Sequence, residues 1–361
     1  MNKLFIGLVT IILAAFLITG CSDGVLAPES QQSPKTTESA QPSGTANVSP
    51  SPKAEAPANK LEEMHETIVK SKPQIHSVLV SRDNELLFEK YYNDNSDKTL
   101  HQIRSVTKSF TSALIGIAIQ EGFIKDIDQK AADYFPDYIT EETDPAVRDI
   151  TIRHLLTMTS GIPYQYTKYN EWISVANPIE RAFGLGTVSS PGERFTYNDP
   201  ATHILSGILT AATGMQASDF ADRYLFQPLQ ISSYDWPTDP QGNNIGAAEL
   251  TLTSRDMLKF GQLYLNRGEW EGKQVVPASW VDESVSAKTD GGMPSGGKYG
   301  YLWWVSNIGD YESFYAMGYG GQFIYVVPDL KLVAVITSGL SRHYEENKGL
   351  VEAYIVPFFE Q

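Results

Sequence analysis

A serine hydroxyl attacks a carbonyl readily only when a neighbouring base takes its proton. A lysine amine can be that base only where burial or a nearby cation lowers its pKa. Two spacings in the chain could bring such groups together, Ser105-Val106-Thr107-Lys108 and Ser295-Gly296-Gly297-Lys298. Residues three apart at the start of a helix share a face, so Ser105 and Lys108 can touch if residues 105 to 121 are helical. The same helix start would offer backbone N–H groups and a partial positive charge to a developing oxyanion. The bland alternative is a capping serine followed by a surface lysine. Ser295 and Lys298 stand in a glycine-rich stretch where nothing fixes their geometry, and they read as loop.

The elements that must hold these groups can be read from apolar spacing. Phe110, Ala113, Leu114 and Ile117 lie on one helical face with Gly122 as a stop, which predicts a buried central helix over 105–121. The folded part is expected to begin near Lys60, where Leu61, Met64, His65 and Ile68 share a face and Pro73 ends the run. Ile75 to Ser81 and Leu86 to Tyr92 flank Asp83-Asn84 as a hairpin. Residues 126 to 240 carry short helical patterns, among them Ala201 to Ala212 and Ala217 to Leu225. Strand signals return at Tyr299 to Val305, Gln322 to Val327 and Leu332 to Thr337, and Leu350, Val351, Tyr354 and Ile355 close the chain as a helix. On a strand through Tyr301, Trp303 and Trp304 would face opposite ways, with core packing the expectation for either. The order implies an α+β fold, an antiparallel sheet whose N- and C-terminal strands pair, with a mainly helical region inserted.

Composition excludes several functions. The chain has 361 residues, with 28 Lys+Arg against 43 Asp+Glu and a net charge of −15, so nucleic acid is not an expected partner. Its one cysteine allows no internal disulfide. The six histidines (His65, His76, His101, His154, His203, His343) form no metal-binding spacing, so neither a metal nor a cofactor is expected.

Lys3, an apolar run from Leu4 to Ile18 and the small residues before Cys21 describe a lipoprotein signal peptide over 1–20, with Cys21 as the lipidated residue. An uncleaved membrane anchor is the alternative. Residues 21–59 are rich in Pro, Ser, Thr, Ala and Gln, with no aromatic residue, and read as a disordered tether. A domain over 60–361 is then expected outside the cytoplasm, lipid-anchored to the cell membrane.

The run His101 to Phe110, with Ser105 and Lys108 inside it, resembles the first motif of the serine β-lactamase-related hydrolases. That group includes class C β-lactamases, D-amino-acid peptidases, esterases and 6-aminohexanoate-dimer hydrolases. Ile150 to Gly161 resembles a structural helix segment of the family, Pro191 to Asp199 its Tyr-x-Asn block, and Ala316 to Gln322 the region of its Lys/His-Thr-Gly. The resemblance spans about residues 60 to 361 and implies a β-lactamase/DD-peptidase-like fold. It further implies an acyl-enzyme on Ser105, proton acceptance by Lys108, a proton shuttle at Tyr197, and an oxyanion hole from the backbone N–H groups of Ser105 and Gln322.

Two departures bear on substrate. Asp199 stands where asparagine is usual, and could either pair with Lys108 or select a cationic group. Tyr319-Gly320-Gly321 replaces Lys/His-Thr-Gly, removing a partner for a substrate carboxylate. Both argue against penicillin-like substrates and for small-molecule or peptide-like esters or amides. The rivals are a binding or sensor module on the same fold that never turns over or stays acylated, and a β-lactamase or DD-peptidase. An α/β-hydrolase is excluded, because no Gly-x-Ser-x-Gly elbow occurs within residues 60–361.

Overall fold

The computed structural model describes residues 59–165, 168–339 and 345–360. The expected signal peptide, Cys21 and the tether up to residue 58 lie outside the described residues. Among the described residues no helix is long and apolar enough to cross a membrane.

Helix α1 (Lys60–Ser71) is capped by the Asn59 side chain and buries Leu61, Met64 and Ile68. Strands β1 (Ile75–Arg82) and β2 (Glu85–Tyr91) form the expected hairpin, with Asp83 and Asn84 both at positive φ in the turn. The short strand β3 (His101–Gln102) leads into a 3₁₀ turn over Arg104–Val106 and then α2 (Thr107–Gln120). The inserted region holds α3 (Ile152–Leu156), α4 (Tyr169–Ile173), α5 (Pro178–Gly184), α6 (Asp199–Thr213) and α7 (Ala217–Ala221). Strand β4 (Thr251–Leu252) pairs with β3 and returns the chain to the site.

Beyond it come α8 (Ser254–Leu265), the small hairpin β5 (Glu269–Trp270) and β6 (Lys273–Gln274), α9 (Ala278–Ser284), and strands β7 (Lys298–Tyr299), β8 (Trp304–Ile308), β9 (Tyr311–Gly318), β10 (Gln322–Val327) and β11 (Leu332–Ser338). Helices α10 (Glu345–Leu350) and α11 (Val356–Phe359) end the described chain. The main sheet is antiparallel, in the order β2-β1-β11-β10-β9-β8-β7, so the first hairpin pairs with the last strand, as expected.

The core lies between this sheet and the helices α2 and α8. Phe110 of α2 stacks on Phe260 of α8 with ring centroids 3.7 Å apart, and α8 lies close on the sheet because Gly261 leaves room for Val333 and Ile324. Residues 107 to 118 of α2 are all buried, and their hydroxyls must therefore find partners. Ser109 donates to Leu302 O at 2.8 Å and Thr111 to Gly246 O at 2.8 Å. These bonds fix α2 against two loops that reach the site.

One expectation needs correction. Tyr299 to Val305 is not one strand. The chain reverses between β7 and β8, with Leu302 at φ 61° and Tyr301 N–H donating to Ser284 O, while a side chain at Gly300 would strike that same carbonyl. Trp303 and Trp304 are both buried, as core packing implied, on Phe260 and Tyr264 in one case and on Tyr197 and Tyr299 in the other. Strand β9 and helix α8 were not expected. The inner half of β9 is buried on both faces and so shows no period-2 alternation.

Candidate active site

Ser105 sits in the 3₁₀ turn that feeds α2, one residue after Arg104 at φ 54°. The turn is pinned from behind by Ile103 N–H donating to Leu250 O at 2.9 Å. The lysine three residues on is no surface residue, for Lys108 is 1% exposed. Its ammonium donates to Ser105 Oγ at 3.0 Å, to Asp199 Oδ1 at 2.5 Å and to Ala247 O at 2.7 Å.

Tyr197 reaches the same point from the inserted region. Asn198 follows it and caps α6, its side chain accepting from Ala201 N–H at 2.9 Å and donating to Ile162 O at 2.7 Å. The strand-like stretch before it is laid on the Thr157–Gly161 segment through Val188 N–H to Gly161 O and Thr196 N–H to Met158 O. The block expected to be structural is thus what holds Tyr197 in place. Trp304 stacks on the Tyr197 ring at 5.7 Å, and Lys108 Nζ lies 5.0 Å above its centroid. The Tyr197 hydroxyl interacts with both Ser105 and Lys108.

Asp199 opens α6 and is buried, so its charge needs a partner. It has two, Lys108 and the hydroxyl of Tyr164, which donates to Oδ2. Of the two roles open for Asp199, the structure takes the pairing with Lys108. Burial alone would lower the Lys108 pKa. Burial is the largest single influence, but the charge of Asp199, that of Tyr197 and the hydrogen bonds to both together outweigh it and hold the amine above its usual range. Burial raises the Tyr197 phenol, against the pull of Lys108. At neutral pH the centre is therefore an ammonium, a carboxylate and an un-ionised phenol around one hydroxyl. This overturns the expectation that burial leaves Lys108 with a lowered pKa.

Ser105 faces a cleft of about 560 Å³ whose walls include Tyr164, Phe195, Tyr197, Met293, Pro294 and Met317. Gly318 and Tyr319, at the end of β9, complete the wall beside Ser105. Gly318 must be glycine here, because a Cβ would lie 2.3 Å from Ile103 O. The expected second oxyanion donor, Gln322, is not on this wall. It begins β10, its amide donating to Ser338 O at 2.6 Å, and it borders a separate recess with His76 and His101. Gly321 likewise faces away, with a carbonyl that accepts from Asn347 Nδ2 at 2.9 Å. The reason is the β9–β10 hairpin, in which Gln322 pairs with Gly318 and carries the chain into the next strand.

Ser295 is apart from this centre, with Oγ 2.5 Å from Tyr315 OH, and Lys298 is exposed. Among the described residues no group of three or more His, Cys, Asp or Glu could hold a metal ion.

Sequence reasoning missed Arg194, Phe195, Tyr164, Tyr169 and Glu249. Arg194 and Phe195 lie inside the block that carries Tyr197, and both line the cleft. Arg194 changes the electrostatics, since the charge of Asp199 is cancelled by Lys108 while a guanidinium borders the cleft. A substrate carboxylate is therefore not repelled by Asp199, contrary to the sequence-based argument. Glu249 comes from a stretch without a motif and at φ 73°, which sequence does not reveal.

Comparison with known proteins gives a consistent picture. The profile of the family described as Beta-lactamase matches residues 71–350. A 6-aminohexanoate-dimer hydrolase of Paenarthrobacter ureafaciens is 26% identical over 284 residues, covering 71% of this chain and 70% of that one. An uncharacterised protein of Alkalihalophilus pseudofirmus is 25% identical over 301 residues, covering 72% and 82%. Among solved structures, a protein from Bacillus anthracis described as a 6-aminohexanoate-dimer hydrolase superposes with a TM-score of 0.68 at 24% identity, covering 82% of this chain and 81% of its own. At that identity the likeness speaks for the fold.

Proposed function

This chain belongs to the Beta-lactamase family of serine hydrolases, and on that premise we propose that it cleaves ester or amide bonds through an acyl-enzyme on Ser105. The observation that carries the reading is the convergence of Ser105, Lys108 and Tyr197 on one cleft. Lys108 holds its full set of protons, so it must release one before it can accept another. The contact to Asp199 at 2.5 Å offers the route. As the ammonium proton moves onto Asp199, the freed amine takes the proton of Ser105, and Oγ bonds to the substrate carbonyl carbon. The carbonyl electron pair moves onto oxygen, beside the N–H groups at the start of α2 and at the end of β9. Collapse breaks the bond to the leaving group, which takes its proton from Tyr197; Lys108 restores that proton to the phenol, and Asp199 returns to Lys108 the proton it took. Water then repeats the sequence on the acyl-enzyme. No cofactor enters these steps.

Ester or amide substrates are favoured over β-lactams because the uncharged Tyr319 stands beside Ser105, where the resemblance to the family would place a cation. The relative from P. ureafaciens is named a hydrolase of 6-aminohexanoate dimer, which supports the same choice. We place the domain outside the cytoplasm, held to the membrane by a lipid on Cys21 and the 21–59 tether.

The test is labelling with a fluorophosphonate followed by matched panels of p-nitrophenyl esters, aminoacyl amides and cephalosporins. Ser105→Ala should abolish labelling and Ser295→Ala should not. A cephalosporin turned over faster than every ester and amide would overturn the substrate assignment.

A further inference from the structure

Ser105 borders two cavities, and the mechanism distinguishes them. The larger, of about 560 Å³, is walled by Tyr197, the group proposed to protonate the leaving atom. The second, of about 360 Å³, is lined by Arg104, Ser105, Tyr169, Asn170, Asp199 and Glu249, with Ala248 and Tyr319 at its margin, and Tyr197 is absent from it. The leaving group must depart on the Tyr197 side. The acyl half, which stays on Ser105, therefore extends into the second cavity.

Its chemistry is set by one side chain. Asp199 brings no net charge there, because Lys108 neutralises it. Glu249 is half-buried, and its carboxylate is oriented rather than loose: Tyr169 OH donates to Oε1 at 3.2 Å and the Gln102 amide donates to Oε2. Burial and the nearby Glu249 charge hold the Tyr169 phenol far above its usual range, so it stays a donor. Each oxygen of Glu249 has one protein donor and can accept a further hydrogen bond from a ligand. The segment carrying it cannot swing away, since Lys108 donates to Ala247 O on one side and Ile103 to Leu250 O on the other. Arg104 is the other charged group of the cavity and is the natural partner of an acyl carboxylate. Unlike Glu249, its side chain is not held by the hydrogen bonds that line the cavity.

We propose that this cavity binds the acyl half of the substrate and that Glu249 there selects acyl groups bearing an ammonium. The assignment rests on the acyl-enzyme reading above and names its substrate class as aminoacyl esters and amides. Glu249 is a specificity determinant and takes no part in the proton transfers.

The experiment compares kcat/KM for p-nitrophenyl esters of ω-amino acids of two to six carbons with their uncharged alkanoyl isosteres and with hemisuccinate esters. For the wild-type protein at least one aminoacyl ester should exceed its isostere about tenfold or more, the scale of one charge-assisted contact. In Glu249→Gln that ratio should fall to near one, mainly through KM, and Glu249→Asp should recover part of it. Arg104→Ala should not lower the ratio. A wild-type preference for hemisuccinates, or a ratio unchanged in Glu249→Gln, overturns the assignment. Fluorophosphonate labelling of the wild-type protein, run in parallel, separates the two levels. No labelling and no turnover defeats the hydrolase, whereas labelling and turnover without aminoacyl preference defeats only this subsite.

Discussion

Asp199 Oδ1 lies 2.5 Å from Lys108 Nζ, and the two side chains are only 3% and 1% exposed. The pair decides how the centre titrates. With Asp199 present, the Lys108 pKa is above its ordinary value of 10.5, so the proton count of Lys108 is the same folded and unfolded at neutral pH. Its contribution to stability is fully present below that value and is lost only as pH rises through the higher folded pKa. In Asp199→Asn the opposing cause, burial, is left to lower the Lys108 pKa. Such a variant should be weaker by about 3–5 kcal/mol at neutral pH, the usual cost of stranding one member of a buried ion pair. Between neutrality and pH 10 its stability should climb while that of the wild type stays flat. Urea unfolding across a pH series measures both slopes, and parallel curves would refute the account.

Tyr197→Phe keeps the ring that stacks on Trp304 and removes only the hydroxyl. Turnover should drop by about a hundredfold or more, the scale of a positioned proton-transfer group. Stability should change little. Steady-state kinetics with a thermal melt separates the two effects, and a variant within a few-fold of wild type would rule out Tyr197 as the shuttle.

The end of β9 meets the turn of Ser105 through backbone alone at Gly318. In Gly318→Ala the new methyl would lie 2.3 Å from Ile103 O and 3.0 Å from the Arg104 Cβ. Backbone cannot step aside as a flexible side chain can, so the strand must move off Ser105. A loss of at least tenfold in kcat is expected, with KM less affected. Full activity in this variant would show that β9 does not supply the oxyanion site.

Cys21→Ser tests the tether. Fractionation of cells should find the wild-type protein with membranes and the variant released from them or unprocessed. Wild-type protein recovered as soluble cytoplasmic material would dismiss the anchor.

Much of the fold was legible because local chemistry and tertiary need agree. Asp83-Asn84 can adopt the left-handed turn that a tight hairpin requires, and the apolar face of α2 at Phe110, Ala113, Leu114 and Ile117 is buried as its spacing implies. The nucleophile and its lysine were legible from a fixed spacing on one helix. Other parts depend on what packs against them. Strand β9 is covered on both faces, so its pattern carries no period. The resemblance to the family put Gln322 at the oxyanion site, yet the hairpin after Gly318 turns it into β10. The direction of the Lys108 pKa depends on a residue 91 positions away, and only the folded distance shows that attraction outweighs burial. Glu249 reached the site by β4 pairing with β3, a contact of two residues a side that no sequence period announces.

The pairing of β1 with β11 joins Ile75 to Ser338 and Val78 to Ile336. On a ribosome the first hairpin therefore appears long before the strand that covers its inner edge, and α2 emerges well ahead of α8 and the sheet that bury it. No N-terminal half has a complete core of its own. Closing so long a loop costs entropy before any contact repays it, which makes for slow, all-at-once folding. Until β11 is made, the chain exposes apolar surface and an unpaired strand edge, and is best kept unfolded by a chaperone. That pairing makes β10 and β11 as necessary to Ser105 as the helix that carries it.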